Sequence, residues 1–577
     1  VVHKFGRNVW VSSLVDAFGS TSANEVCATT IPMPFGTEDV LFATYNAPRG
    51  PGMGGHARAR SLDGGATWEV AAGSAVFPAI TESVSPFQTS TDWVGDTWCT
   101  AVGPAGVVAV VAVVGVTARG ASDTRPTDVA LWVSTNAGDT FPFAVPVSDL
   151  FSSGVDGPKV AADEENGSVW IWWYNRVAGV QKNWLRRFDI GSDGRPTAAG
   201  PPLSLTDILV DVTPEWQKAW GLPPILVPAL PVTTHAVLAV HSKGRGRKPR
   251  LFLCWASNAD GAFDDRDANT PGCLTQPNDR PAVRWYMAYS DDEGLTWTTT
   301  LVDEDPAWPH CISPNRLTAN RPTPSMVFDK RSERLFITLN SSAFREDGAF
   351  VGTRARLYAW PARESDGEFD VWTPLCNPAA SEPSAFPTIP PDVLPVLPAG
   401  AADAVLEAEL QWRKRLPTDE TYCFQYGGSV GQARRGDPRV AWMWYDSRDS
   451  KLSHPRPGDR AVVQLEANVW AAVLDPRRTP PPLARAQVRI TPLANGAQAG
   501  VTSGPGGKRR YAPVVAAATG SARGHVPWNP SRAGYGNVWW GDYSNGVTWQ
   551  GDHFFGFWAD MRDRADSSRI YGAAFRG

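Results

Sequence analysis

No run of eighteen apolar residues occurs anywhere in the 577-residue chain, which argues against a membrane-spanning helix. The longest valine-rich run, Val107 to Val116, is strand-sized. There is no C-x-x-C pair and no H-E-x-x-H motif, and the eight histidines are scattered, so the spacings that mark a zinc site are missing. A surplus of one charge is also missing. The formal net charge is −5, too small and of the wrong sign for general attraction to nucleic acid. The one basic run, Lys243 to Arg250, reads as a solvated loop. Seven cysteines permit at most three disulfides and leave one thiol over, and Cys254 with Cys273 can clip the loop between them. The chain opens at Val1 without a charged and apolar leader ahead of it, as a processed product or a trimmed chain would.

Tryptophan is plentiful, with 26 in the chain. Trp170, Trp172, Trp173, Trp442, Trp444, Trp539 and Trp540 sit in apolar, strand-like segments, where they suit packing between sheets better than exposure. A second feature is an eight-residue phrase. Ser61-Leu62-Asp63-Gly64-Gly65-Ala66-Thr67-Trp68 returns as Ser290-Asp291-Asp292-Glu293-Gly294-Leu295-Thr296-Trp297, and in altered form as Ser134-Thr135-Asn136-Ala137-Gly138-Asp139-Thr140-Phe141. The chemistry is that of a hairpin turn. The carboxylate or amide bonds the turn backbone, glycine takes positive φ, threonine re-enters a strand and the aromatic packs on a neighbouring hairpin. The S-x-D-x-G-x-T-W pattern resembles the Asp-box (BNR repeat) of sialidase-like β-propellers.

Upstream of such turns stand seven apolar segments, at residues 40 to 45, 107 to 114, 168 to 174, 250 to 256, 334 to 339, 439 to 446 and 553 to 560. Each is followed by a partner strand, ending near Ser61, Ser134, Phe188, Ser290, Trp360, Leu474 and Phe575. Seven units predict an all-β, seven-bladed β-propeller of four-stranded antiparallel blades, forming one domain over residues 1 to 577. The last unit ends one strand short, and residues 8 to 13 have the composition to supply that strand. At about 45 residues per blade, roughly 260 remain for loops. The largest insertions, residues 203–234, 257–284, 376–420, 447–466 and 493–538, are expected on the face opposite the repeated turns, where a rigid scaffold carries its function.

Two second strands end in the same phrase, Trp444-Tyr445-Asp446-Ser447-Arg448 and Trp558-Ala559-Asp560-Met561-Arg562, with Trp173-Tyr174-Asn175-Arg176 as a looser echo. An Asp–Arg pair at a strand end commonly ties down its own loop. Converging arginines can also grip an anionic ligand bidentately. The resemblance implies an arginine triad, an activated tyrosine and an acidic proton donor, which map here onto Arg448, Arg562 and Arg176, onto Tyr543, and onto Asp446, Asp542 or Asp560. Innermost strands are expected to start near Asp96, Asp156, Arg321 and Asp542, which makes Asp96, Asp156, Arg176 and Arg321 further ligand-binding candidates. The chain departs from the sialidase pattern in its first sixty residues, where Arg7, Arg49, Arg58 and Arg60 occur without an Arg-Ile-Pro signature. No resident metal is expected. Asp260, Asp264, Asp265 and Asp267 nevertheless offer hard oxygen donors that suit Ca²⁺, without the spacing of an EF-hand.

Taken together, the sequence reads as a secreted or surface-exposed propeller that binds a glycan or a surface protein through its loop-rich face, without catalysis. Its oligomeric state is open. The alternatives are an exo-sialidase-like glycoside hydrolase acting on an anionic sugar, and a structural subunit of a surface or envelope assembly.

Overall fold

The computed structural model describes residues 9–12, 23–34, 37–47, 55–72, 76–78, 80, 87–103, 105–118, 124–148, 155–177, 180–205, 208–211, 219–223, 226–228, 236–257, 283–305, 324–344, 350–361, 370–372, 425–432, 437–446, 464–475, 487–489, 500–502, 508–510, 514–517, 545–560 and 569–575. The architecture is all-β, a seven-bladed β-propeller of four-stranded antiparallel blades.

The chain opens with β1 (Val9–Trp10). The first blade is β2 (Asn24–Ile31), β3 (Val40–Asn46), β4 (His56–Ser61) and β5 (Glu69–Ala72). The second is β6 (Phe87–Ala101), β7 (Val108–Ala118), β8 (Thr124–Ser134) and β9 (Phe143–Pro146). The third is β10 (Asp156–Asp163), β11 (Ser168–Val177), β12 (Val180–Ile190) and β13 (Pro196–Ala198), with β14 (Leu203–Ser204) also paired to β12. A two-stranded ribbon follows, β15 (Leu209–Asp211) and β16 (Leu226–Pro228). The fourth blade is β17 (Val237–His241), β18 (Arg250–Ser257), β19 (Val283–Ser290) and β20 (Thr298–Asp305). The fifth is β21 (Ser325–Asp329), β22 (Arg334–Phe344), β23 (Phe350–Pro361) and β24 (Asp370–Trp372). The sixth is β25 (Gln425–Gln432), β26 (Val440–Asp446), β27 (Gln464–Leu474) and β28 (Gln487–Arg489). Next come a ribbon of β29 (Gly500–Thr502) and β30 (Lys508–Arg510), and β31 (Val514–Ala517), which pairs along β27. The seventh blade is β32 (Val547–Gln550), β33 (His553–Asp560) and β34 (Arg569–Phe575). It is completed by β1, with Val9 opposite Gly572 and Trp10 opposite Tyr571. Val11 N–H donates to Ile570 O at 2.9 Å, and Ile570 N–H donates to Ser12 Oγ at 3.0 Å, extending the closure beyond the two-residue strand.

Two compact units divide these blades. The first contains Val1–Ala75, Asn269–Pro277 and Pro309–Gly577, and the second Val76–Ala268 and Asn278–Trp308. In the first unit the core joins Leu41, Tyr45, Phe555, Phe557, Trp558 and Tyr571 in one cluster, and Phe336, Leu357, Trp442 and Trp444 in another. In the second, Trp170, Trp172 and Trp255 pack with Leu185, Leu251 and Leu253. Trp170, Trp172, Trp173, Trp442 and Trp444 are all buried, as strand-borne tryptophans between sheets should be. Full burial of a large apolar side chain contributes roughly 2 to 3 kcal/mol, so Trp170, Trp172, Trp442 and Trp444 are substantial contributors to their clusters. Trp539 and Trp540 lie outside the described residues.

The repeated turns join third to fourth strands and share one bonding scheme. Asp63 Oδ1 accepts from Thr67 N at 2.8 Å, Asp63 Oδ2 accepts from Thr67 Oγ1 at 2.6 Å, and Ser61 Oγ accepts from Gly65 N at 2.8 Å. Asp292 and Ser290 repeat these bonds to Thr296 and Gly294; Ser134 and Asn136 keep the two bonds from the turn backbone, while the Asn136 amide donates to Thr140 Oγ1 instead of accepting from it. Gly65 has φ +92°, and a Cβ there would lie 2.3 Å from Phe555 Cε2. Glycine is therefore required twice over, by backbone conformation and by the approach of the next blade. Trp68 completes the contact, with ring centroids 5.6 Å from Phe555 and 5.4 Å from Phe557. The basic run is a tethered surface loop. Gly246 N–H donates to Asn166 Oδ1 at 2.7 Å, Lys243 and Arg250 bond Asp291, and Lys248 faces Glu293 at 3.3 Å.

Two expectations are corrected. Cys254 is a free thiol wholly buried in β18, so it does not clip the loop to Cys273; its side chain serves the blade interior, and burial pushes its thiol well above the usual range. Asp96 does not start its strand, because β6 begins at Phe87 and Asp96 sits within it. The reason is a long β6–β7 hairpin that pairs from Phe87 opposite Ala118 onward, interrupted by two register shifts.

Candidate functional site

Strand direction fixes two ends in every blade. The repeated turns lie at one end, here the turn rim, and innermost strands begin and second strands finish at the other, the upper rim. Asp446 closes β26 opposite Gln425, and Asp560 closes β33 opposite Arg569, so both backbones reach the upper rim. Arg176 lies near the end of β11 opposite Gln181. Arg448, Asp542, Tyr543, Arg562 and Arg321 lie outside the described residues, as do Asp260, Asp264, Asp265 and Asp267. Among the described residues no group of three or more His, Cys, Asp or Glu is arranged to hold a metal ion.

One device recurs at this rim. In β2, three steps from Asn24 to Cys27 oppose two from Asn46 to Thr44, and the same one-residue bulge falls between Gly95 and Trp98, Asp156 and Lys159, and Tyr426 and Ser429. A bulge bends the strand and re-aims the side chains beside it. Four innermost strands thus share it at equivalent places.

In the second unit, two of these bulges meet. Asp96 adopts φ +45°, a left-handed conformation that aspartate tolerates better than most residues. Gly157 N–H points between two carboxylates, 3.2 Å from Asp96 Oδ2 and 2.9 Å from Asp156 Oδ1. Tyr174 Oη donates to Asp156 Oδ2 at 2.7 Å from the second strand. On the other side of the same bulge, the buried Lys159 ammonium donates to Gly157 O at 3.3 Å and Pro158 O at 3.4 Å. It also lies 4.6 Å from the centroid of the Trp98 ring, a cation–π contact that links the two bulges a second time. The bulge peptide is therefore oriented, with its N–H toward the carboxylates and its carbonyls toward the cation. Asp96 and Asp156 are half-buried, whereas Lys159 is inaccessible.

The structure brings together Asp96 and Asp156, both singled out from sequence. Sequence reasoning passed over Lys159 and Trp98, and met Tyr174 only as part of the strand-end phrase. A lysine inside the apolar run Gly157-Pro158-Lys159-Val160-Ala161-Ala162 was the available signal, since a buried cation needs carbonyls or π faces around it. At the position corresponding to Asp446, the third blade has Asn175, which is buried and accepts from Trp184 Nε1 at 3.0 Å. In that blade Asn175 ties the end of β11 to β12.

No family model matches the chain, and none of the curated proteins matches it. Among solved structures it is similar to a Trypanosoma rangeli sialidase in complex with the inhibitor DANA, at 12% identity and TM-score 0.35, over 84% of this chain and 56% of that one. It is also similar to the NanB sialidase from Streptococcus pneumoniae, at 10% identity and TM-score 0.35, over 74% of this chain and 66% of that one. A GH43_1 enzyme from Xanthomonas citri gives 11% identity and TM-score 0.27, over 59% of this chain and 95% of that one. The chain spans just over half the length of the trypanosomal sialidase, 56%. No helix among the described residues is long and apolar enough to cross a membrane.

Proposed function

We propose that this chain is a secreted or surface-exposed propeller that binds a glycan through its upper rim without turning it over. The observation that carries this reading is the junction of Asp96, Gly157, Asp156 and Tyr174. Two half-buried carboxylates converge there on one amide, a phenol donates to one of them, and a buried cation holds the carbonyls behind. Carboxylates at a rim accept hydrogen bonds from sugar hydroxyls and repel an anionic sugar, which favours a neutral polyhydroxylated ligand in this unit. Their bonds to the backbone and to Tyr174 favour holding over proton transfer. In the repeated turns, by contrast, the Ser and Asp side chains of the phrase bond the turn itself.

The second reading, a glycoside hydrolase acting on an anionic sugar, rests on Arg448, Arg562 and Tyr543 as proposed partners of Asp446, Asp542 and Asp560. A glycan array run beside a panel of fluorogenic glycosides separates the two. Binding to neutral glycans without turnover supports the first. Turnover that is lost in both Arg448→Ala and Tyr543→Phe replaces it with the second. An array with no glycan bound, together with no turnover, overturns both in favour of a protein partner.

A further inference from the structure

In the first unit the upper ends of four innermost strands meet at one residue. Asn545 N–H donates to Val26 O at 2.9 Å, and Ala28 N–H donates to Asn545 O at 2.9 Å. These bonds form an isolated parallel bridge opposite Cys27, whereas the strand ladders among the described residues are antiparallel. Asn545 Oδ1 accepts from Ser325 Oγ at 2.9 Å, and its Nδ2 faces Cys27 Sγ at 4.0 Å. Ser325 Oγ accepts in turn from Val430 N at 3.2 Å. The next residue continues the pattern. Gly546 N–H donates to Ser429 Oγ at 3.1 Å, and its carbonyl accepts from Phe557 N at 2.6 Å. A Cβ at Gly546 would stand 2.2 Å from Phe557 O, so the chain passes here with no room for a side chain.

The partners belong to β2, β21 and β25, in the first, fifth and sixth blades, while β32 itself has only four residues. The chain entering β32 is therefore held more by other blades than by its own. Ser325, Ser429 and Cys27 are wholly buried around it. β26 and β33 finish at this same rim, at Asp446 and Asp560.

We infer that Asn545 is the positioning residue of the upper rim in the first unit, a hub whose backbone holds the start of β32 against β2 and whose side-chain amide holds it against β21. This inference stands independently of the ligand proposed above. The amide adds hydrogen bonds at the hub, whereas the apolar cluster behind it, including Val547, Phe557 and Tyr571, is untouched by its loss. Removing the amide therefore loosens the hub locally and leaves the blades folded.

The protein carries its own reporter, since Cys27 lies against Asn545 and Cys254 is buried in the second unit. Thiol labelling of the full chain with a maleimide under native conditions, resolved by peptide mass, is the test. In Asn545→Ala, Cys27 is expected to label about tenfold faster or more while Cys254 keeps its wild-type rate. Asn545→Asp, which keeps the acceptor for Ser325, restores most of the protection. Equal acceleration at both cysteines, or none at Cys27, overturns the assignment. Should Asn545→Ala fail to fold, Ser325→Ala with amide exchange carries the test. Faster exchange at Ala28 and Gly546 than at β3 supports the hub, and unchanged exchange there rejects it.

Discussion

The repeated turns and the upper-rim junctions are built on opposite plans. In the repeated turns, the serine and the aspartate or asparagine of the phrase bond their own turn within five residues, as Asp63 does with Thr67, and one phrase serves three blades. At the upper rim, polar groups bond across strands far apart in sequence, as Asp96 does with Gly157 and Asn545 with Ser325. The first plan makes a blade, and any blade can use it. The second joins particular blades, and each junction is individual: a carboxylate pair over a buried lysine in one unit, an amide hub among serines in the other. A ligand needs individuality, which is why the proposed recognition is assigned to the upper rim, while the repeated turns are expected to carry stability.

The largest expected effect breaks the turn rim. Gly65→Ala puts a Cβ 2.3 Å from Phe555 at φ +92°, and should cost about 3 kcal/mol or more, read as a lower urea midpoint. Asp63→Ala comes next. Burial pushes the Asp63 carboxyl up, but hydrogen bonds from the Thr67 side chain and backbone, and from Ser61, outweigh it and hold the group below its ordinary value. Losing these bonds should cost about 1 to 3 kcal/mol, seen as a lower melting temperature.

How much of this was legible in the sequence follows the same divide. Turn chemistry is local, so Ser61 to Trp68 and Ser290 to Trp297 declared their bonds, their glycine and their aromatic packing in eight residues. The seven second strands were legible because each is a long apolar run, and the closing strand because the last blade ends one strand short. The bulges were not legible. An extra residue in β10 shows only when Asp156 is set opposite Tyr174 and Lys159 opposite Trp172, a long-range register. The Asp156-Gly157 dipeptide was a weak turn signal at the right place. Asn545 gave no sign at all, since its partners lie at Val26, Ala28 and Ser325, hundreds of residues away. The strands β29 to β31 inside the 493–538 insertion were equally hidden, because short pairings leave little hydrophobic pattern.

Smaller effects sharpen the comparison at the upper rim and between blades. Tyr174→Phe removes the donor to Asp156 Oδ2 and should cost about 1 kcal/mol. It should also weaken glycan binding, measured by titration calorimetry with the best ligand from the array. The smallest effect is electrostatic. Hydrogen bonding from Arg250 first, and then from Lys243, outweighs burial and lowers Asp291 to about 2. Its contribution is complete above the ordinary carboxylate value of about 4 and is lost as pH falls from there through about 2. Asp291→Asn should flatten stability against pH in that window, by less than about 1 kcal/mol because Asp291 and Lys243 are partly exposed and screened by solvent.

The most direct test sets one variant from each rim side by side, measuring melting temperature and glycan affinity on both. Asp96→Asn keeps an acceptor for Gly157 and a residue type that tolerates φ +45°, yet removes a charge from the upper rim. The account predicts an unchanged melting temperature and weakened glycan binding for Asp96→Asn, against a lowered melting temperature and unchanged binding for Asp63→Ala. Lost affinity in Asp63→Ala at an unchanged melting temperature, with full affinity in Asp96→Asn, would contradict it.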